Sequence, residues 1–104
     1  MLKDAQNRVD EALQVFEKPY WSPLSICARI AEETGELARI LNHIYGDKPK
    51  KPEEEKQHLG EEIMDVIFAC ICLANSHNIN LDDEFKKTIE KVTVRDKNRF
   101  VNKK

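Results

Sequence analysis

The sequence predicts an all-α protein whose four helices pack as a bundle. Apolar residues recur at three- and four-residue spacing along four long segments, which is the period of an amphipathic helix. The chain holds only three glycines and four prolines, a balance typical of helix-rich proteins. No segment shows the alternating pattern of a strand. With 104 residues, we expect a single helical domain over residues 1–104, with a basic C-terminal tail from about residue 95.

The first helix is expected from about Leu2 to Lys18, where Pro19 ends it. Ser22 and Pro23 then provide the N-cap and the first residue of a second helix that runs to about Tyr45. Aromatic residues gather at the corner between the two helices. The predicted apolar stripe of the second helix consists of Ile26, Ile30, Leu37, Leu41 and Ile44.

The second half of the chain is expected to form two more helices. After a charged, proline-containing linker over residues 47–55, the third helix starts near Glu53 or Glu54 and ends at about His77. Its second half is apolar almost all round, which suggests burial in a subunit interface. The fourth helix opens at Leu81 with acids at its positive end.

Charge and hydropathy exclude several classes of partner. Seventeen Lys and Arg against nineteen Asp and Glu leave a formal net charge of −2, so no overall basic field favours a nucleic acid polymer. The N-terminus lacks the apolar region of a signal peptide, and no run is long enough to span a membrane. We therefore expect a cytoplasmic protein.

Cysteine and histidine do not form a metal-site pattern. The three cysteines, Cys27, Cys70 and Cys72, lie in apolar runs and are expected to be small buried residues. His43, His58 and His77 are expected at the surface. Glu55 and His58 form one Glu-x-x-His motif, but a di-iron carboxylate site needs a second motif on another helix, which is absent.

Two acidic segments, EETGE at 32–36 and EEIMD at 61–65, carry the candidate chemistry. Each places carboxylates three and four residues apart, so like charges stack along one helix face and repel. Glu33 follows Ile30 by three residues and precedes Leu37 by four, and is therefore expected to point inward with the apolar stripe.

If the second and third helices run antiparallel, the two pairs can converge on one site. The pairs are Glu33 with Glu36 and Glu62 with Asp65. Four oxygen donors without His or Cys suit Mg²⁺, with Mn²⁺ as a substitute, and such sites are typical of metals that handle phosphate esters. The alternative is a pair of solvated acidic faces without a cation.

The order of these motifs resembles a known family. Glu33-x-x-Glu36, a gap of twenty-five residues, Glu62-x-x-Asp65 and a basic Lys91-x-x-x-Arg95 segment are similar to the MazG-like, all-α nucleoside triphosphate pyrophosphohydrolases. The resemblance covers nearly the whole chain. One departure is Ile-Met at positions 63 and 64, where many members have Leu-Gly.

The resemblance implies the family's fold, activity and assembly. These are a four-helix bundle of the all-α NTP pyrophosphatase type and Mg²⁺-dependent hydrolysis of an NTP or dNTP to the monophosphate and pyrophosphate. Family members often clear non-standard nucleotides, and they pack as dimers or dimers of dimers. A homodimer or homotetramer is therefore expected, with the site completed near a subunit interface.

The resemblance also implies residue roles. Glu32 matches a neighbouring acid that binds a second metal or orients the attacking water, and Lys91 and Arg95 lie where the family places basic residues toward the phosphates. Glu36, where it is not fully engaged in coordination, is the other candidate catalytic group for holding that water. Independently of the resemblance, the aromatic faces of Trp21, Tyr20 and Phe16 could stack on a base, with Trp21 as the candidate. The favoured alternative is that at least two of the three seal the corner between the first two helices. The metal-binding acids matched by the resemblance are Glu33, Glu36, Glu62 and Asp65.

Two other functions stay open at this point. A non-catalytic helical oligomerisation or regulatory module could keep the fold and a structural cation without turnover. A phosphoribosyl-ATP or dUTP-type specialist is a third possibility within enzymes. The sequence does not indicate the preferred base or sugar.

Overall fold

Four α-helices and one π-helical turn make up most of the computed structural model, which describes residues 1–47, 57–101 and 103, without the side chains of 57 and 58. The prediction of an all-α, four-helix protein is confirmed, and these residues contain no strand. None of the described helices is both long and apolar enough to span a membrane. The helices are α1 (Leu2–Leu13), α2 (Pro23–Tyr45), α3 (Gln57–Ser76) and α4 (Leu81–Glu90), followed by the π-helical turn Lys91–Arg95.

The pairing of α2 with α3 is the main packing contact of the chain, and α1 packs on both α3 and α4. Near its start α2 shares a cavity wall with residues 69 and 72 of α3, whereas Glu33 farther along α2 meets residues 62 and 65. The two helices therefore run antiparallel, as the converging acid pairs require. The buried core residues are Ile26, Ile40, Ala69, Ile71 and Ala74.

The start and end of α2 are as predicted. Ser22 is the N-cap, and its side-chain oxygen accepts a hydrogen bond from the backbone N–H of Ser25 at 3.3 Å. Pro23 is the first helical residue, and the helix ends at Tyr45 before Gly46. This cap fixes where α2 starts, and hence the position of every acid along it.

The prediction for the first helix is wrong at its end, because α1 stops at Leu13 rather than Lys18. Val15 and Phe16 are 79% and 59% exposed, so a longer helix would have no core to cover at these positions. The Tyr20 hydroxyl donates to Asp10 Oδ1 at 2.5 Å, and this hydrogen bond holds the segment that follows Leu13 against α1. Residues 14–20 thus form a turn that reaches toward α2.

The predicted apolar stripe of α2 is wrong at one residue. Ile40 is buried, whereas Leu41 is 39% exposed. The two residues lie about 40° and 60° to either side of Ile26 around the helix, so the period alone does not choose between them. His43, expected at the surface, is also buried, because the buried face follows Ile40.

The helix α3 ends at Ser76, one residue before the predicted end, and the predicted start near residues 53–54 lies outside the described part of the chain. Its apolar residues are not all covered within one chain, since Ile67 and Phe68 remain more than 40% exposed. The expectation of buried cysteines is wrong for Cys27 and Cys70, which are exposed. Both cysteines lie on helix faces that no other described helix covers.

A polar cluster of Gln6, Tyr20, Asn75 and Asp10 joins α1 to the end of α3. Gln6 is 2% exposed, and its amide nitrogen donates to Asn75 Oδ1 at 2.9 Å and to the backbone oxygen of residue 79 at 2.7 Å. Its amide oxygen accepts the backbone N–H of residue 81 at 2.9 Å. Asn75 Nδ2 donates to the Gln6 backbone oxygen and to the Tyr20 hydroxyl at 3.0 and 3.1 Å. The cluster therefore fixes the end of α3 and the start of α4 against α1.

Candidate metal centre and adjoining cavity

Three of the four predicted ligands come together between α2 and α3. One carboxylate oxygen each from Glu33, Glu62 and Asp65 lies within 4.8 Å of the other two. Glu33 comes from the middle of α2, and the other two come from one face of α3, three residues apart. We call these three residues the carboxylate cluster.

The electrostatics of the carboxylate cluster are unfavourable without a counter-ion. Glu62 Oε2 is buried and has no hydrogen-bond partner within the described residues. Burial raises the pKa of Glu62 above its usual value, and the negative charges of Asp65, Glu36 and Glu33 raise it further, while Arg39 opposes them. A buried carboxylate oxygen without a partner is costly, and a bound cation would satisfy it.

The donor set fits a hard divalent cation. Glu33, Glu62 and Asp65 supply carboxylate oxygens, the ligand type that Mg²⁺ and Mn²⁺ prefer, and no sulfur or imidazole takes part. The unpaired oxygen of Glu62 is the observation of this structure that favours a bound ion over a solvated acidic face.

The other two predicted acids stand outside the carboxylate cluster. Glu36 is half-exposed, and its carboxylate pairs with Arg39 at 3.2 Å, although its charge still acts on Glu62. Glu32 is exposed on the face of α2 beside the one that carries Glu33. The role of Glu36 as a ligand, and of both residues in holding water, stays a prediction.

An aromatic cavity of about 360 Å³ opens beside the carboxylate cluster. Asp65 belongs to both, so the cavity and the acids share a wall. Trp21, 56% exposed, lies in the cavity lining with its ring under the Arg29 guanidinium, 5.9 Å from the ring centroid. Phe16 and Tyr20, the other two aromatic candidates for stacking, also line the cavity, together with the unassigned residues Leu13, Lys18, Arg29 and Phe68.

Arg29 is the functional candidate that the sequence analysis missed. Its Nε donates to Glu33 Oε1 at 2.6 Å, and the Glu33 side chain is only 12% exposed. The signal was the spacing of four residues between Arg29 and Glu33, which places both on one helix face. Phe68 could not be found this way, because its place in the cavity depends on how α3 packs.

The predicted phosphate ligands Lys91 and Arg95 begin and end the π-helical turn after α4. This turn continues directly from α4, and neither residue lines the cavity. Arg95 Nε donates to Asp96 Oδ1 at 3.1 Å. The structure therefore does not bring these two residues together with the carboxylate cluster in one chain, and their role stays a prediction.

Known proteins match the chain over most of its length. The profile of the MazG nucleotide pyrophosphohydrolase domain matches residues 21–100. The uncharacterised protein YpjD of Bacillus subtilis is 46% identical over 102 residues, which covers 98% of this chain and 92% of YpjD. The uncharacterised protein YvdC of the same organism is 36% identical over 103 residues, covering 90% of this chain and 94% of YvdC.

Solved structures agree with these sequence matches. A crystal structure of YpjD superposes with a TM-score of 0.81 at 46% identity, covering 88% of this chain and 93% of that one. The Bacillus-conserved MazG protein, a nucleotide pyrophosphohydrolase, superposes with a TM-score of 0.79 at 41% identity, covering 94% and 95%. Together with the four-helix fold and the carboxylate cluster, these matches show that the chain belongs to the MazG nucleotide pyrophosphohydrolase family.

Proposed function

We propose that this protein is a divalent-cation-dependent pyrophosphohydrolase that converts an NTP or dNTP and water to the nucleoside monophosphate and pyrophosphate. The observation that carries the proposal is the carboxylate cluster, whose buried Glu62 oxygen has no partner among the described residues, directly beside an aromatic cavity. Membership of the MazG family supports the same reaction class.

The carboxylate cluster would hold Mg²⁺ through Glu33, Glu62 and Asp65. A bound Mg²⁺ supplies charge neutralisation at the phosphate oxygens. Glu36 and Glu32 lie at the exposed edge of α2, where a carboxylate can hold a water and accept its proton. That water attacks the α-phosphorus, its oxygen forms the new bond to phosphorus, and the α–β anhydride bond breaks to release pyrophosphate.

The cavity would hold the nucleoside. Its apolar and aromatic wall suits a planar base, and Trp21 offers a partly exposed ring for stacking. Its volume of about 360 Å³ lies at the small end of the range for ligand pockets, so one nucleoside fits better than a larger ligand. Because Asp65 belongs to the wall, a base in the cavity leaves the phosphates near the acids.

We also propose a homodimer or homotetramer in the cytoplasm that removes non-standard nucleotides. Exposed apolar residues on α3 that do not line the cavity, such as Ile63 and Ile67, support association of copies. Lys91 and Arg95 do not line the cavity of their own chain, so a role at the phosphates calls for a second copy of the chain.

The experiment is a panel of NTPs and dNTPs with Mg²⁺, scored for pyrophosphate and monophosphate. We expect release of both products that stops when a chelator is added. Asp65→Asn should abolish it and leave the helical circular dichroism intact, because Asp65 is exposed and its loss opens no cavity. Full activity of this variant would refute the proposed site, and no release from any nucleotide at high protein concentration would favour a non-catalytic helical module.

A further inference from the structure

Arg29 contacts the two halves of the proposed site at once. Its guanidinium Nε donates to Glu33 Oε1 at 2.6 Å, and the same group lies 5.9 Å from the centroid of the Trp21 ring. Arg29 also lines the cavity to which Asp65 contributes. No other arginine lines this cavity in the part of the chain that the structure describes.

We propose that Arg29 is a positioning residue that couples cation binding at the carboxylate cluster to the aromatic wall of the cavity. In the cation-free protein, the guanidinium is the counter-ion of Glu33. A divalent cation bound by Glu33 takes over that role and releases the guanidinium, which stays at the cavity mouth beside Trp21 as a donor for substrate phosphate. This proposal rests on the cation site of the proposed function.

Arg29 and a cation compete for one carboxylate, that of Glu33. The ion pair uses Glu33 Oε1 at 2.6 Å, and a divalent cation held by the same carboxylate repels the guanidinium and weakens this pair. The pair between residues four apart on a half-exposed arginine is weak, so breaking it lowers the affinity for a cation only several-fold. The Arg29 side chain is 48% exposed and therefore has room to move.

The released guanidinium can bind both phosphate oxygens and an aromatic ring. Five N–H donors in a planar fork match phosphate oxygens, and the flat face of the same group stacks on an indole ring. Arg29 lies between Trp21, where the base is proposed to stack, and Glu33, near which the phosphates are proposed to lie. Cation binding would prepare the cavity mouth for an anion before the nucleotide arrives.

Trp21 provides the direct test, because it is the only tryptophan of the sequence. Purified protein is titrated with MgCl₂ alone while the tryptophan emission is recorded, and Mg²⁺ binding is measured independently by calorimetry. We expect the wild-type emission to change in step with Mg²⁺ binding. Arg29→Gln should bind Mg²⁺ several-fold more tightly, because its competing charge is gone, and its emission should stay constant during the titration.

Arg39→Gln is the matched control. Arg39 pairs with Glu36 on the same helix and also carries a charge that acts on Glu62, but it does not line the Trp21 cavity. This variant should keep the Mg²⁺-dependent emission change. Arg29→Met, which keeps the apolar stem of the side chain, replaces Arg29→Gln if that variant loses its helical circular dichroism.

Two results would overturn the coupling while leaving the cation site intact. One is Mg²⁺ binding to the wild type by calorimetry with no change in Trp21 emission. The other is the same emission change in Arg29→Gln as in the wild type. If calorimetry finds no Mg²⁺ binding in any of the proteins, the proposed function fails, and the role of Arg29 fails with it.

Discussion

Two polar clusters lie between the helices of this protein, and they differ in how well their polar atoms are paired. The first is the polar cluster that joins α1 to the end of α3, which we call the paired cluster. Every side-chain nitrogen and oxygen of its members Gln6, Tyr20 and Asn75 has a hydrogen-bond partner. In the carboxylate cluster, like charges face one another, and Glu62 Oε2 is buried without a partner in the described residues. A fully paired cluster stabilises the fold, whereas the incompletely paired one calls for a bound ion.

The largest effect on stability is expected at the paired cluster. Gln6→Ala removes a fully buried amide and leaves Asn75 Oδ1 and two backbone groups without their partner. We expect the free energy of unfolding to fall by about 2–4 kcal/mol in urea denaturation.

Asn7→Ala, an exposed amide on the same helix, is the control, and it should change the unfolding free energy by no more than about 0.5 kcal/mol. The affinity of the Gln6→Ala protein for Mg²⁺, measured below its unfolding transition, should equal that of the wild type. Equal losses of stability in the two variants would contradict the account of the paired cluster.

A smaller effect is expected from Tyr20→Phe, which removes one hydroxyl from the same cluster. The loss should be about 1 kcal/mol near neutral pH, because Asp10 Oδ1 still accepts from Gln14 and Asn75 Nδ2 still donates to the Gln6 backbone oxygen. The measurement is again the urea midpoint of the variant against the wild type.

Tyr20 also gives the paired cluster a pH dependence. Burial and then the hydrogen bond to Asp10 raise the pKa of Tyr20 from 10.0 to about 12. The folded state therefore holds this proton more tightly than the unfolded state, and the resulting stability is lost as the pH rises from about 10 toward 12. Tyr20→Phe should lose less stability over that range, and parallel losses in both proteins would contradict the assignment.

The sequence pattern predicted α2 well, because its signals are local. Ser22 and Pro23 define its start, and the acid positions follow from that start and the helical period. The convergence of Glu33 with Glu62 and Asp65 needed one further assumption, the antiparallel packing of the next helix.

What the sequence could not predict depends on contacts between distant segments. The early end of α1 depends on the bond from Tyr20 to Asp10 and on the absence of a core for Val15. The paired cluster joins Gln6 to Asn75, sixty-nine residues apart, and no local pattern indicates such a contact. The burial of Ile40 in place of Leu41 depends on tertiary packing, because the helical period allows either residue to face the core.

The measurement that tests the central claim most directly is thermal unfolding of the wild type and Glu62→Gln, each with chelator and with excess Mg²⁺. A cation that binds only the folded state raises the melting temperature of the protein. Glu62→Gln removes a proposed ligand of that cation and, with it, a buried carboxylate charge that its acidic neighbours repel.

We predict that Mg²⁺ raises the melting temperature of the wild type and leaves that of Glu62→Gln unchanged. With chelator, Glu62→Gln should be at least as stable as the wild type, because the unpaired charge is gone, and a less stable variant would contradict the cost of that charge. An equal rise with Mg²⁺ in both proteins would contradict a cation site at the carboxylate cluster.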